Sequence, residues 1–202
     1  MHRLPGTLLG AAALALVLAS IAPAPAEDPF FAAWAHSPRD SLLRRANLCH
    51  EAQLEALGEP SLARRFHDLD TEVYRVLISP TRGRPTVVRL EIYPGGEGEL
   101  WVRRGVSRLD GICEITDLAS ETKDRVGREK VDAFRESLDR LRFWRLGSWQ
   151  NDDPGIDPTW WLVEGLDHGR YDLFERVAPD RRDGVRQAGR FLLEMAGLEG
   201  TD

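Results

Sequence analysis

The chain has 202 residues, 33 of them acidic and 27 basic, for a formal charge of −6, and 42% of its side chains are hydrophobic. An acidic balance excludes general binding to nucleic acid, which requires a basic footprint. Only Lys123 and Lys130 are lysines, so arginine supplies nearly all the positive charge, a skew that genome composition explains as well as recognition does.

Met1, His2 and Arg3 make a short positive start, and Leu8 to Ile21 then carries no charge before the small residues and prolines of 22–26. This layout predicts a secretory signal peptide over 1–26, cleaved after Ala26. The uncharged run falls short of the roughly 20 apolar residues that a spanning helix needs. The expected product is periplasmic or secreted, with no transmembrane segment in the mature chain and no cysteine at the cleavage site to accept a lipid. Its length suits one domain, laid out as an N-terminal helical segment over 27–70 and an α+β domain over 71–202.

In chain order, Phe30, Phe31 and Trp34 form an aromatic lead-in that is expected to pack on the domain. Ser37 then caps a helix, with Pro38 at a tolerated first position and Asp40 near the positive end of the helix dipole. Gly58 and Pro60 stop it. Its apolar stripe runs either through Leu42, Ala46, Cys49 and Gln53 or through Leu43, Leu54 and Leu57. A second short helix follows from Ser61, carrying Leu62, Phe66 and Leu69.

The period then changes to alternation. Tyr74, Val76 and Ile78, then Val88, Leu90 and Ile92, then Leu100 and Val102 read as three strands of an antiparallel meander. The stretch 108–126 is polar, with a short strand expected near Ile112–Ile115. Val131, Phe134, Leu138 and Leu141 recur at helical steps up to Gly147. Trp160–Glu164 and Arg170–Val177 read as a hairpin turned at Asp167, His168 and Gly169. Val185, Ala188, Leu192 and Met195 mark a last helix. The expected fold is α+β, an antiparallel sheet of about five strands (meander, helix, hairpin, helix) with the N-terminal helices packed on it.

The residues Glu72-x-Tyr74-Arg75, Phe143-Trp144-x-Leu146, Asp157, Trp160, Glu164-Gly165, Gly169-x-Tyr171 and Arg176-x-x-Pro179 resemble a group of exported, uncharacterised bacterial proteins over roughly 71–197. The resemblance implies a fold and export, and no activity or catalytic residue. The region around Cys113 departs from the group's pattern, so any disulfide belongs to this chain.

Cys49 and Cys113 are the two cysteines. In an oxidising compartment one structural disulfide between them is the simple outcome, and chain entropy gives it roughly 4 kcal/mol. The alternative is a reactive thiol pair, although the spacing is not Cys-x-x-Cys.

The main candidate site is a surface. If Val88, Leu90 and Ile92 face the core, Arg89, Glu91 and Tyr93 face the other way, beside Arg75, Trp101 and Arg103 of the neighbouring strands. Seven arginines stand against four glutamates between Thr71 and Arg108, in an otherwise acidic chain. Arg75, Arg89, Tyr93, Trp101 and Arg103 are therefore the expected contact residues for an anionic partner, an acidic protein surface or an envelope polysaccharide, held by guanidinium forks and aromatic stacking. The competing arrangement has the first helix covering this face, or the arginines paired with nearby glutamates.

Other constellations are weaker. The loop 151–157 offers oxygen ligands of the kind calcium prefers but does not fit an EF-hand. Glu164, Asp167 and His168 suggest an acid–base set without a nucleophile. His36, His50, His67 and His168 show no zinc spacing, and the glycines at 95, 96 and 98 join two strands instead of opening a helix. The sequence points to a non-enzymatic exported binding domain without a cofactor. The alternative is a small periplasmic hydrolase with a site near Asp153, Asp157, Glu164 and His168; an envelope folding or assembly factor is a third reading. An enzyme requires a pocket where the acids converge, a binding module an open sheet face.

Overall fold

The computed structural model of the protein describes residues 30–32, 41–70, 72–81, 83–106, 117–147 and 158–198, with side chains of the first helix from Cys49 onward. The expected signal segment, the helix start at Ser37, Cys113, the short strand near Ile112–Ile115 and the acidic loop 151–157 lie outside these residues.

The elements are α1 (Ser41–Ala56), β1 (Glu72–Pro80), β2 (Thr86–Ile92), β3 (Gly98–Val106), β4 (Asp117–Val126), α2 (Arg128–Leu141), β5 (Thr159–Asp167), β6 (Arg170–Val177) and α3 (Gly184–Met195). The expected second helix is a single 3-10 turn, Ala63–Arg65. The strands form one antiparallel sheet of six in the order β4-β3-β2-β1-β5-β6, one more than expected. The added strand is β4, polar on both faces, so no alternation betrays it.

The sheet is covered on both sides over its centre. On one face Tyr74, Val76, Val88, Leu90 and Phe174 form a core with Val131, Phe134 and Leu138 of α2 and Val185, Ala188 and Leu192 of α3. On the other, Val73, Leu77, Val87, Leu162 and Leu166 pack under Phe30, Phe31, Leu54, Leu57 and Leu62. The N-terminal segment therefore shares a core with the sheet, and the aromatic lead-in is buried as far as Phe30 and Phe31. β1 is inaccessible along eight of its nine residues, because it lies between β2 and β5 and beneath both layers.

Local chemistry explains the joints. α2 buries its positions 131, 134 and 138 and stops at Arg142, which turns left-handed (φ 54°). Asp183 caps α3, accepting the Val185 and Arg186 amides at 2.8 and 3.2 Å. The β5–β6 turn has positive φ at both His168 (46°) and Gly169 (79°), as a two-residue type I′ hairpin requires. Gly165 sits on β5 opposite Tyr74; a Cβ there would meet the Phe143 ring at 2.6 Å, so glycine makes room for Phe143 and Trp144.

Candidate functional site

The strand register assembles one row of side chains across the face on the α1 side. Arg75 pairs with Arg89 on β2 and with Glu164 on β5, Arg89 with Trp101, and Trp101 with Lys123 on β4. The row begins buried under the N-terminal segment and ends in solvent.

The covered part is a web of ion pairs centred on Glu59, in the turn that follows α1. One oxygen of its carboxylate accepts from Arg75 Nη1 (3.3 Å) and Arg89 Nε (2.9 Å), and the other from Arg103 Nη1 (2.8 Å). The flanking carbonyls join in, Pro60 O to Arg75 at 2.7 Å and Gly58 O to Arg103 at 2.6 Å. Glu164 accepts from Arg75 Nε (2.7 Å) and Nη2 (2.5 Å), and from the Tyr171 hydroxyl (2.9 Å). Arg89 and Arg65 reach Glu91 at 2.6 and 2.8 Å, and Arg103 reaches Glu121 at 2.6 Å. Four guanidinium groups (Arg65, Arg75, Arg89, Arg103) thus meet four carboxylates (Glu59, Glu91, Glu121, Glu164).

Arg75 is fully buried, with its guanidinium over the Phe30 ring. Burial lowers its pKa, but Glu164 and Glu59 beside it more than offset that and the net shift is upward. The Tyr171 hydroxyl is pushed up by burial and by the Glu164 charge. Removing any single member of such a web strands the charges opposite it.

Two of the five expected contact residues, Arg75 and Arg89, are therefore inside the protein, 0% and 5% exposed, engaged by carboxylates of the chain itself. The physical reason is that the turn after α1 delivers Glu59 onto the arginines. In the positive stretch 71–108, Arg75, Arg89 and Arg103 are neutralised largely from outside it, by Glu59, Glu121 and Glu164, whereas Arg84 is exposed.

Beyond the turn the face is open. Trp101 is partly exposed and sits between three cations, 4.4 Å from Lys123 Nζ and 5.2 Å from the Cζ atoms of both Arg89 and Arg103. Its indole N–H finds no hydrogen-bond partner among the described residues. Arg103 bridges the two regions. Lys123 also donates to Glu99 at 2.7 Å, and hydrogen bonds from Lys123 and Tyr93 hold the Glu99 carboxyl below its ordinary pKa. The bond to Glu99, with lesser help from desolvation, pushes Tyr93 up to about 12. Tyr93 is 43% exposed and lines a shallow cleft of about 490 Å³ with Glu97, Glu99, Arg125, Val126 and Gly127. Trp101 and Arg103 are thus in contact, Tyr93 is linked to them only through Glu99 and Lys123, and Lys123 and Arg125 come from the strand that alternation does not reveal.

The acid–base set is not assembled. Glu164 is 1% exposed and engaged by Arg75 and Tyr171, whereas His168 is exposed at the hairpin tip against Asp167. The carboxylate of Asp167 raises the His168 pKa through a hydrogen bond and its charge. Among the described residues no group of three or more His, Cys, Asp or Glu could hold a metal ion. A pair that sequence patterns do not reveal lies between α1 and β6, where His50 Nδ1 and Glu175 Oε1 stand 3.3 Å apart, both buried, with His50 edge-on to Trp160. Cys49 is buried next to His50 in the sequence, while its expected partner Cys113 is outside the described residues.

Among the described residues no helix is long and apolar enough to cross a membrane. Comparison with known proteins finds no family model that matches the chain and no curated protein that matches it in sequence.

Proposed function

We propose that this protein is an exported binding domain that holds another protein on the open half of its α1-side sheet face. Trp101 is the anchor, Lys123 lies over it, and Tyr93 and Arg125 stand further along the same face around Glu99. The observation that carries this reading is the partly exposed Trp101, stacked among three cations where the sheet face emerges from under the N-terminal segment, with its indole N–H left without a partner among the described residues. Tryptophan, tyrosine and arginine are enriched among the few residues that dominate the energetics of protein interfaces. The charges around Trp101 are already paired, Lys123 with Glu99 and Arg103 with Glu121. That balance favours a protein surface of mixed charge over the polyanion that the arginine count alone suggests.

The reading includes export. The leader over 1–26 is removed after Ala26, the mature chain works in the periplasm or outside the cell, and Cys49 is bridged to Cys113, which pins α1 and hence the Glu59 turn. The resemblance to exported bacterial proteins supports the same compartment.

A photo-crosslinking residue in place of Arg125, compared in living cells with one in place of Glu136 on α2, tests the site. The expected result is an adduct with a protein other than a second copy of this chain, from position 125 alone, abolished by Trp101→Ala in a protein whose circular dichroism is unchanged. An absence of such adducts at 125, or such adducts that survive Trp101→Ala, sinks the proposal. The intact mass of protein recovered from the envelope tests the compartment, with a chain beginning at Glu27 and both thiols blocked to alkylation as the expected result.

A further inference from the structure

β4 is ten residues long and nine of them are exposed, on both faces of the sheet. It is an edge strand, and among the described residues only β3 pairs with it. Its outward row of backbone N–H and C=O groups is a template for another strand. The β3–β4 register is regular from Ser120 to Val126, with an irregularity between Arg104 and Gly105 that ends it on the other side.

Two copies joined edge to edge by antiparallel β4 strands are related by a two-fold axis through the sheet. Paired residues must point to the same face, and that axis preserves faces, so it must pass through a residue paired with its own copy. Centring on Glu121, Lys123 or Asp124 sets two like charges against each other, which is destabilising. Centring on Ser120 avoids that but leaves Glu121 opposite Ala119 and draws its one pair of opposite charges, Asp117 with Lys123, from the strand's end. Centring on Thr122 brings opposite charges together at the middle of the strand. There Glu121 opposes Lys123 of the second copy, twice by symmetry, Ser120 opposes Asp124, and Thr122 meets Thr122, a favourable pair of β-branched hydroxyl residues. Glu121 already has Arg103 at 2.6 Å on its inner side. A lysine on its outer side continues the alternation of charge across the boundary.

We propose that this protein is a two-fold homodimer in which β4 pairs with β4 of a second copy about Thr122, making a continuous twelve-stranded sheet. The axis keeps both α1-side faces on the same side, with the two β3 strands about 14 Å apart at ordinary strand spacing. The dimer thus presents two Trp101 surfaces side by side, although the pairing stands independently of what those surfaces bind.

Sedimentation over a wide concentration range tests the dimer, and two variants test the register. The wild-type chain is expected to sediment as a dimer. Lys123→Glu, which turns both cross-copy pairs repulsive, is expected to weaken it by at least about tenfold. Lys130→Glu makes the same charge change on the exposed start of α2 and leaves it intact. Under mild oxidation Thr122→Cys should give a disulfide-linked dimer above the level of the parent chain, and Ser120→Cys should not. Circular dichroism confirms that each variant is folded. A wild-type chain that stays monomeric overturns the proposal and leaves the edge to a strand of another protein. A dimer indifferent to Lys123→Glu, or one that Ser120→Cys links as readily as Thr122→Cys, overturns it equally.

Discussion

The two halves of the α1-side sheet face are built from the same residue types and have opposite fates. Under the turn after α1, Arg75 and Arg89 are locked against Glu59 and Glu164 out of contact with water. Two strands away, Trp101 is partly exposed under its three cations and Lys123 meets solvent while paired with Glu99. What separates them is the reach of residues 58–60, not the composition of the strands. A cationic, aromatic strand face is a docking surface only where the rest of the chain leaves it uncovered.

That contrast sets the order of expected effects. The largest is Glu59→Gln, which leaves three guanidinium groups facing a neutral amide. The loss should be about 3–5 kcal/mol of unfolding free energy, as for other broken buried pairs, and denaturant titration measures it. Tyr171→Phe removes one hydrogen bond to the buried Glu164 and should cost about 1–2 kcal/mol by the same measurement. On the open half, Trp101→Ala loses partly solvated cation–aromatic contacts and should cost only about 1 kcal/mol, while it abolishes crosslinking from position 125. If Trp101→Ala costs as much as Glu59→Gln, the division between a structural half and a recognition half is wrong.

Salt and acid sharpen the division further. Added salt should weaken the exposed Lys123–Glu99 pair and leave the covered web nearly untouched, so Lys123→Ala should flatten the small salt dependence of stability. The smallest effect concerns Glu99, whose pKa is lowered in the folded protein from an ordinary 4.5 by Lys123 and Tyr93. Its contribution is present above that ordinary value and is lost as pH falls through the lowered one. Glu99→Gln should remove this part of the acid limb in a pH titration of stability, with no change at neutral pH in the pH slope.

Much of the fold is legible in the residue pattern because each element repeats a simple period. β1, β2, β3, α2, the β5–β6 hairpin and α3 all follow from alternation or helical steps, and the burial of Phe30 and Phe31 from the cost of exposing them. β4 escapes because Ser120, Thr122 and Asp124 on one face and Glu121, Lys123 and Arg125 on the other offer no contrast. Pairing of the arginines with glutamates is one of the two arrangements the sequence offers, but the identity of the partners escapes for a different reason. Arg75 lies 16 residues from Glu59 and 89 from Glu164, and only the placement of β5 beside β1 brings the last two together. One signal was present, since Val73, Arg75 and Leu77 share the face opposite Tyr74, Val76 and Ile78. An arginine between aliphatic residues on a strand that is apolar on its other face too marks a buried cation, and a buried cation needs carboxylates from elsewhere.

The central place of β1 also governs when the molecule can become itself. The meander from β1 to β4 closes through near neighbours, but the pairing that completes β1 joins residues 72–80 to 159–167. Pairing across such a span is slow, because loop entropy must be lost before the contacts compensate it. Until Glu164 arrives, Arg75 lacks its main counter-ion and the middle strand is a raw edge. A growing chain therefore stays loose until nearly all of it has been made, and the step that ends this state is the docking of the late hairpin.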